Sequence, residues 1–340
     1  MVQTVRGAVD PSELGTTLMH EHVFVLTPDL LTNYGRDYWD EEARVADAVD
    51  KLRRLRELGV DTIVDPTVVG LGRDIARVAR VNAQVDLTIV VATGLYTFDE
   101  LPRQIQSRGP GSLLGGDEPM LDMFVRDITE GIGETGVKAA FLKGVVEEKG
   151  ITGDQERVHR AIAATHRETG APITVHTNAE HETGRLALDL YEAEGVDLTK
   201  VVVGHAGDSN DLDYLRALAD RGALLGCDRF GLDRFNPTDR RVATVAALCA
   251  EGYAESIVLS HDASCYIDFY AGEDAQRRLE AGAPNWHYEH IHRDVLPALR
   301  AAGVTDAQIT TMLVENPRRY FTPTGSVSYT HLTLPTNREV

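Results

Sequence analysis

The stretch Ala171–Asn178, APITVHTN, sets the pattern on which the fold turns. An apolar, β-branched run of strand length follows a helix-ending glycine, Gly170, and closes on a polar residue, His176, near its C-terminal end. The same unit recurs along the chain. TTLMHEHVFV (16–25), VDTIVDPT (60–67), LTIVVATGLY (87–96), VKAAFLKGVV (137–146), KVVVGHAG (200–207), GALLGCDRF (222–230) and SIVLSHDA (256–263) read as seven further strands. Helical patterns lie between them, among them 41–59, 154–170 and 211–222, and Gly59 and Gly222 stand where such helices end. Eight strand–helix alternations with short connections predict a parallel sheet, and eight is the number that closes a (β/α)8 TIM barrel in one domain. An open doubly wound sheet is the competing architecture, but no GxGxxG follows the first strand.

Two segments break the rhythm: 98–119, rich in Gly and Pro, and 262–294, a long connection after the eighth strand. Long connections at strand C-terminal ends are expected to be site loops. Residues 326–340 follow a natural stop and are expected to be a non-native or disordered tail, His331 included, so the barrel is assigned to 1–325.

The 340 residues are 43% hydrophobic and carry a formal net charge of −19. That balance suits a soluble globular protein and argues against nucleic acid or an anionic membrane surface as partner. No apolar run reaches membrane-spanning length, and no signal-peptide pattern opens the chain. Three scattered cysteines, Cys227, Cys249 and Cys265, fit a reducing cytoplasm without disulfides.

Polar residues at the strand ends carry the chemistry. The first strand offers His20 and His22, whose i, i+2 spacing turns both imidazoles to one face. The fourth offers Lys143, the fifth His176, the sixth His205 and the eighth Asp262. In a barrel these ends converge on one mouth, so the set reads as a metal site. His159, His166 and His181 sit in helical stretches and read as surface residues. His287, His290 and His292 have metal-like spacing but no matching strand carboxylate, and His261 should face away from Asp262. Lys143 lies in an apolar strand that disfavours its charged form. A neutral amine can take up carbon dioxide as a carbamate able to bridge two metals. The bland alternative is a buried lysine paired with an acid such as Asp262.

HEH, the lysine of FLKG, and the histidines and aspartate of TVHTN, VVVGHAGD and LSHDA together resemble the phosphotriesterase-like lactonases of the amidohydrolase superfamily. The resemblance covers residues 1 to about 323. It implies two divalent metal ions, zinc first, with iron, cobalt or manganese as alternatives. His20, His22 and Asp262 would hold one ion and His176 and His205 the other, with carboxylated Lys143 between them. It implies that Tyr96 faces the substrate, where dedicated triesterases carry tryptophan. It implies that Arg229, paired with Asp208, orients Asp262 and His205. Phe269 stands in the loop that shapes the acyl pocket. The expected activity is hydrolysis of N-acyl-homoserine lactones, of quorum-quenching type, with promiscuous phosphotriesterase activity, in a homodimer. The alternatives are a dedicated aryldialkylphosphatase and a mononuclear deaminase.

Overall fold

In the computed structural model, which describes residues 1–323, the eight expected strands all form. They are β1 (Thr17–Leu18), β2 (Thr62–Asp65), β3 (Thr88–Gly94), β4 (Phe141–Val146), β5 (Ile173–Thr177), β6 (Val201–Gly204), β7 (Leu224–Cys227) and β8 (Ile257–Leu259). Each pairs in parallel with its sequence neighbour. At the seam, Met19 N donates to Leu259 O at 3.3 Å and Asp262 N donates to His20 O at 3.0 Å, so the sheet closes into the barrel. The tail at 326–340 lies outside the described residues.

Alternation along the strands sorts the side chains into two layers. Ile63, Ile89, Leu142, Ile173, Val203 and Leu225 point outward into one buried cluster beneath the helices. Val64, Val90, Ala92, Phe141, Val202, Leu224 and Val258 form a second cluster inside the barrel, together with Tyr320 and Phe321. Lys143 is two residues beyond Phe141 and therefore shares the inner face. Gly94 pairs with it in register, and its positive φ of 144° suits glycine. A Cβ there would also stand 2.0 Å from Lys143 O.

The first strand departs from expectation. Thr17–Leu18 pairs with β2, but the chain then crosses over, and His22–Val25 pairs with Ser264–Ile267 as a separate parallel ribbon. His20 and His22 thus flank a switch between two pairings and still face one point.

Two histidines read as surface residues are buried. His159 and His166 lie on the inward stripe of helix Gly153–Thr169 with Gln155 and Ile162. His159 Nε2–H donates to Val145 O at 3.0 Å, and Nδ1 pairs with the Tyr191 hydroxyl at 2.8 Å. Burial pushes its pKa down to about 4 from 6.5. Between those values the unfolded chain binds a proton that the fold refuses, so stability falls as pH drops through that window. His159→Gln should therefore lose about 2 kcal/mol less than the parent between pH 7 and pH 5, measured by urea unfolding. His181 is exposed, as expected.

Candidate active site

The C-terminal mouth of the barrel opens into a cavity of about 1440 Å³ lined by His20, His22, Lys143, His176, Tyr96, Arg229 and Asp262. His205, behind this surface, is buried against His176 and His20. The loop 262–294 contributes Ser264, Ile267, Phe269 and Trp286 to the wall. Of the insertion at 98–119, only Phe98 lines it.

All four histidines obey one rule. One ring nitrogen is held from outside the site, and the other turns inward. His20 Nδ1 and His205 Nδ1 meet the two oxygens of Asp228 at 3.0 and 2.9 Å. His22 Nδ1 meets Thr67 Oγ1 at 2.7 Å, and that hydroxyl itself donates to Asp65. His176 Nε2 meets Glu147 Oε1 at 2.6 Å. Each held nitrogen donates to its acceptor, which leaves lone pairs on the inward nitrogens. Inside, His20 Nε2 and His22 Nε2 stand 3.3 and 3.2 Å from Asp262 Oδ1. His176 Nδ1 and His205 Nε2 face each other at 2.9 Å. Opposed lone pairs at that distance repel one another, and a cation between them removes the conflict. Burial holds His20, His176 and His205 below the usual histidine pKa, the last well below, so all three favour the neutral ligand form.

Lys143 Nζ is buried without a hydrogen-bond partner among the described residues, and burial lowers its pKa to about 8. The expected alternative, a lysine hydrogen-bonded to Asp262, is not what the geometry has. An orphaned amine lining the same cavity as His20, His22, His176 and Asp262 fits a centre completed by groups beyond the polypeptide.

Burial acts to raise the Asp262 carboxyl, but its positively charged and hydrogen-bonding surroundings, the Arg229 guanidinium among them, hold it well below the ordinary range. Arg229 Nε donates to Asp262 Oδ2 at 3.0 Å and its Nη1 to Asp208 Oδ2 at 3.1 Å, so the expected Arg229–Asp208 pair is present. It does not reach His205, whose orienting partner is Asp228. Both His205 and Asp262 have positive φ, 66° and 54°, an uncommon conformation for residues with side chains.

Asp228 and Glu147 were not singled out from sequence. Asp228 is nearly fully buried and fits because Gly226 leaves it room: a Cβ on Gly226 would lie 2.6 Å from its Oδ2. Glu147 follows β4 directly, and its hydrogen bond from His176 is the main cause that lowers its pKa to about 2. His290 is held by Asp294 at 2.9 Å, and His261 pairs with Glu21 behind the site. Neither belongs to the ligand groups found among the described residues, which are His20, His22 and Asp262, and His20, His205 and Asp228.

A parallel barrel with a histidine–carboxylate cluster at its C-terminal mouth is a well-defined enzyme class. The chain belongs to the phosphotriesterase family, which residues 1–321 match. It is 51% identical over 324 residues to a phosphotriesterase homology protein of Mycobacterium tuberculosis, covering 95% of this chain and 98% of that one. It is 37% identical over 317 residues to an aryldialkylphosphatase of Saccharolobus solfataricus, covering 93% and 98%. The solved structure of the phosphotriesterase from Mycobacterium tuberculosis superposes with a TM-score of 0.92 at 51% identity, covering 95% of this chain and 98% of that one. The protein is a hydrolase of a family that depends on a binuclear metal centre. Among the described residues no helix is long and apolar enough to cross a membrane.

Proposed function

We propose that the protein is a metal-dependent lactonase acting on N-acyl-homoserine lactones, with phosphotriester hydrolysis as a side activity, and that it works as a homodimer. The observation that carries the reading is Tyr96. Its hydroxyl stands 3.3 Å from His176 Nδ1, and its ring packs edge-on against Phe98 and His176 at the cavity wall. Burial raises its pKa, so the phenol keeps its proton and can donate a hydrogen bond to a lactone oxygen. Val25, Leu71, Leu232 and Ile267 offer an apolar surface for an acyl chain.

In this reading His20, His22 and Asp262 would hold one divalent ion and His176 and His205 the other. Lys143, as its carbamate, would supply a further anionic ligand. The neutral amine adds carbon dioxide and releases one proton, which its lowered pKa favours. When bound, such ions lower the pKa of water and polarise a carbonyl or phosphoryl oxygen. Asp262 accepts the proton released on attack and passes it to the leaving alkoxide. Arg229, on Asp262 Oδ2, fixes the direction of that carboxylate. Zinc is the first expectation, with iron, cobalt and manganese chemically compatible.

The 37% identity to an aryldialkylphosphatase favours the second reading, a dedicated triesterase. The ratio of kcat/KM for an acyl-homoserine lactone to that for a phosphotriester separates the two. Tyr96→Trp should lower lactone turnover about tenfold more than triester turnover, the worth of one hydrogen bond at about 1.4 kcal/mol. Equal losses would reduce Tyr96 to a packing residue at the rim.

A further inference from the structure

Glu21, between the two histidines of HEH, does not line the cavity. It is fully buried behind it, and its carboxylate gathers four donors. Oε1 accepts from Ser260 Oγ at 2.8 Å, His261 N at 2.9 Å and His261 Nδ1 at 2.6 Å, and Oε2 accepts from Ala263 N at 3.0 Å. None of these donors is a cation. His261 Nε2 accepts the Ile291 backbone N–H at 2.9 Å, so it keeps its lone pair and the ring is neutral. A buried carboxylate without a counter-ion is costly, and the chain bears that cost with four neutral hydrogen bonds.

What the four bonds enclose explains their placement. Asp262 sits between the two backbone N–H groups that Glu21 accepts, and its φ is 54°. The rest of the turn is equally tied. Asp262 N donates to His20 O, His22 N donates to Ala263 O at 2.8 Å, and Trp286 Nε1 donates to His261 O at 3.0 Å and to Asp262 O at 3.1 Å. An aspartate left to itself would relax out of the left-handed region, so the surroundings must fix it.

We propose that Glu21 is a positioning residue. Its two oxygens clamp the N–H groups on either side of Asp262, and the clamp holds the backbone turn that aims the Asp262 carboxylate at His20 and His22. The two histidines of the motif face the cavity, while the glutamate between them shapes the carboxylate that meets them. The consequence for metal uptake rests on the metal-site reading above.

The test uses the full chain with Glu21→Asp, which keeps the charge but is one methylene too short to span both flanks, and with Glu21→Gln, which puts an N–H₂ against a donor. A crystal structure of metal-free Glu21→Asp should show Asp262 relaxed to negative φ. A retained φ near that of the parent overturns the proposal. Cobalt titration of each metal-free protein, read by visible absorbance, should show one of the two ions bound at least about tenfold more weakly in either variant, with the other unchanged. Proportional weakening of both ions, or of neither, assigns Glu21 to seam closure alone and overturns the proposal. A parent protein that takes up no cobalt counts against the metal reading, and the Asp262 backbone in Glu21→Asp still decides the role of Glu21.

Discussion

Lys143→Ala is expected to lower kcat/KM by about a thousandfold or more and to empty at least one metal position. Lewis-acid stabilisation is worth several kcal/mol, and each 1.4 kcal/mol is about tenfold in rate. Lys143 Nζ is buried beside the candidate ligands, has no hydrogen-bond partner among the described residues, and burial lowers its pKa to about 8 against the pull of Asp262 and Asp228, which brings the neutral amine within reach. Alanine removes the arm that would carry the bridging carbamate and leaves space for a small anion. Acetate or propionate in the buffer should then restore part of both metal content and turnover. Lys143→Glu should retain more metal than Lys143→Ala, with its shorter arm misplacing the pair. Elemental analysis and kcat/KM with and without added acid check the result. A Lys143→Ala enzyme with two ions and full activity would make the lysine structural.

Asp262→Asn carries the second large effect. The substitution keeps the size of the side chain but removes the charge that Arg229 holds at 3.0 Å and that faces His20 and His22. Loss of a positioned proton acceptor costs about a hundred- to ten-thousandfold. The expected signature is a fall in kcat with KM little changed, together with weaker binding of the ion assigned to His20 and His22. A kcat within threefold of the parent would remove Asp262 from the proton path.

The fold was legible because each strand is an apolar run ended by a turn or polar residue, and parallel barrel strands covered on both faces need no alternation. The split of the first strand was not legible. It depends on Ser264–Ile267, which competes for the chain after His20, and nothing within TTLMHEHVFV encodes that partner. The convergence of His20, His22, Lys143, His176, His205 and Asp262 was legible as a set of polar residues within or just beyond five of the eight apolar runs. Their orienting partners were not. Asp228 and Arg229 both follow β7 directly and both reach the site, Asp228 at His20 and His205 and Arg229 at Asp262, and the sequence offers no periodicity there to separate the two roles. Gly226, which makes room for Asp228, was the available signal. The burial of His159 and His166 lies in periodicity: Gln155, His159, Ile162 and His166 have 4-3-4 spacing, which marks one helical face. A neutral imidazole with both nitrogens paired tolerates burial, so the periodicity outweighs the polarity of the ring.

The seam between β1 and β8 also governs when the site comes into being. His20 N donates to Ser260 Oγ across 240 positions of chain, and Glu21 reaches His261 across the same span. During synthesis, from the N-terminus onward, the first two histidines emerge long before the carboxylate they face. Until the eighth strand docks, His20 and His22 belong to an open edge and lack their shared turn. Closing so long a loop is entropically slow, and the contacts that reward it arrive together. The assembled ligand cluster is therefore a late event of folding, and a nascent chain halted before Ser260 has the histidines of the centre without the carboxylate that completes it.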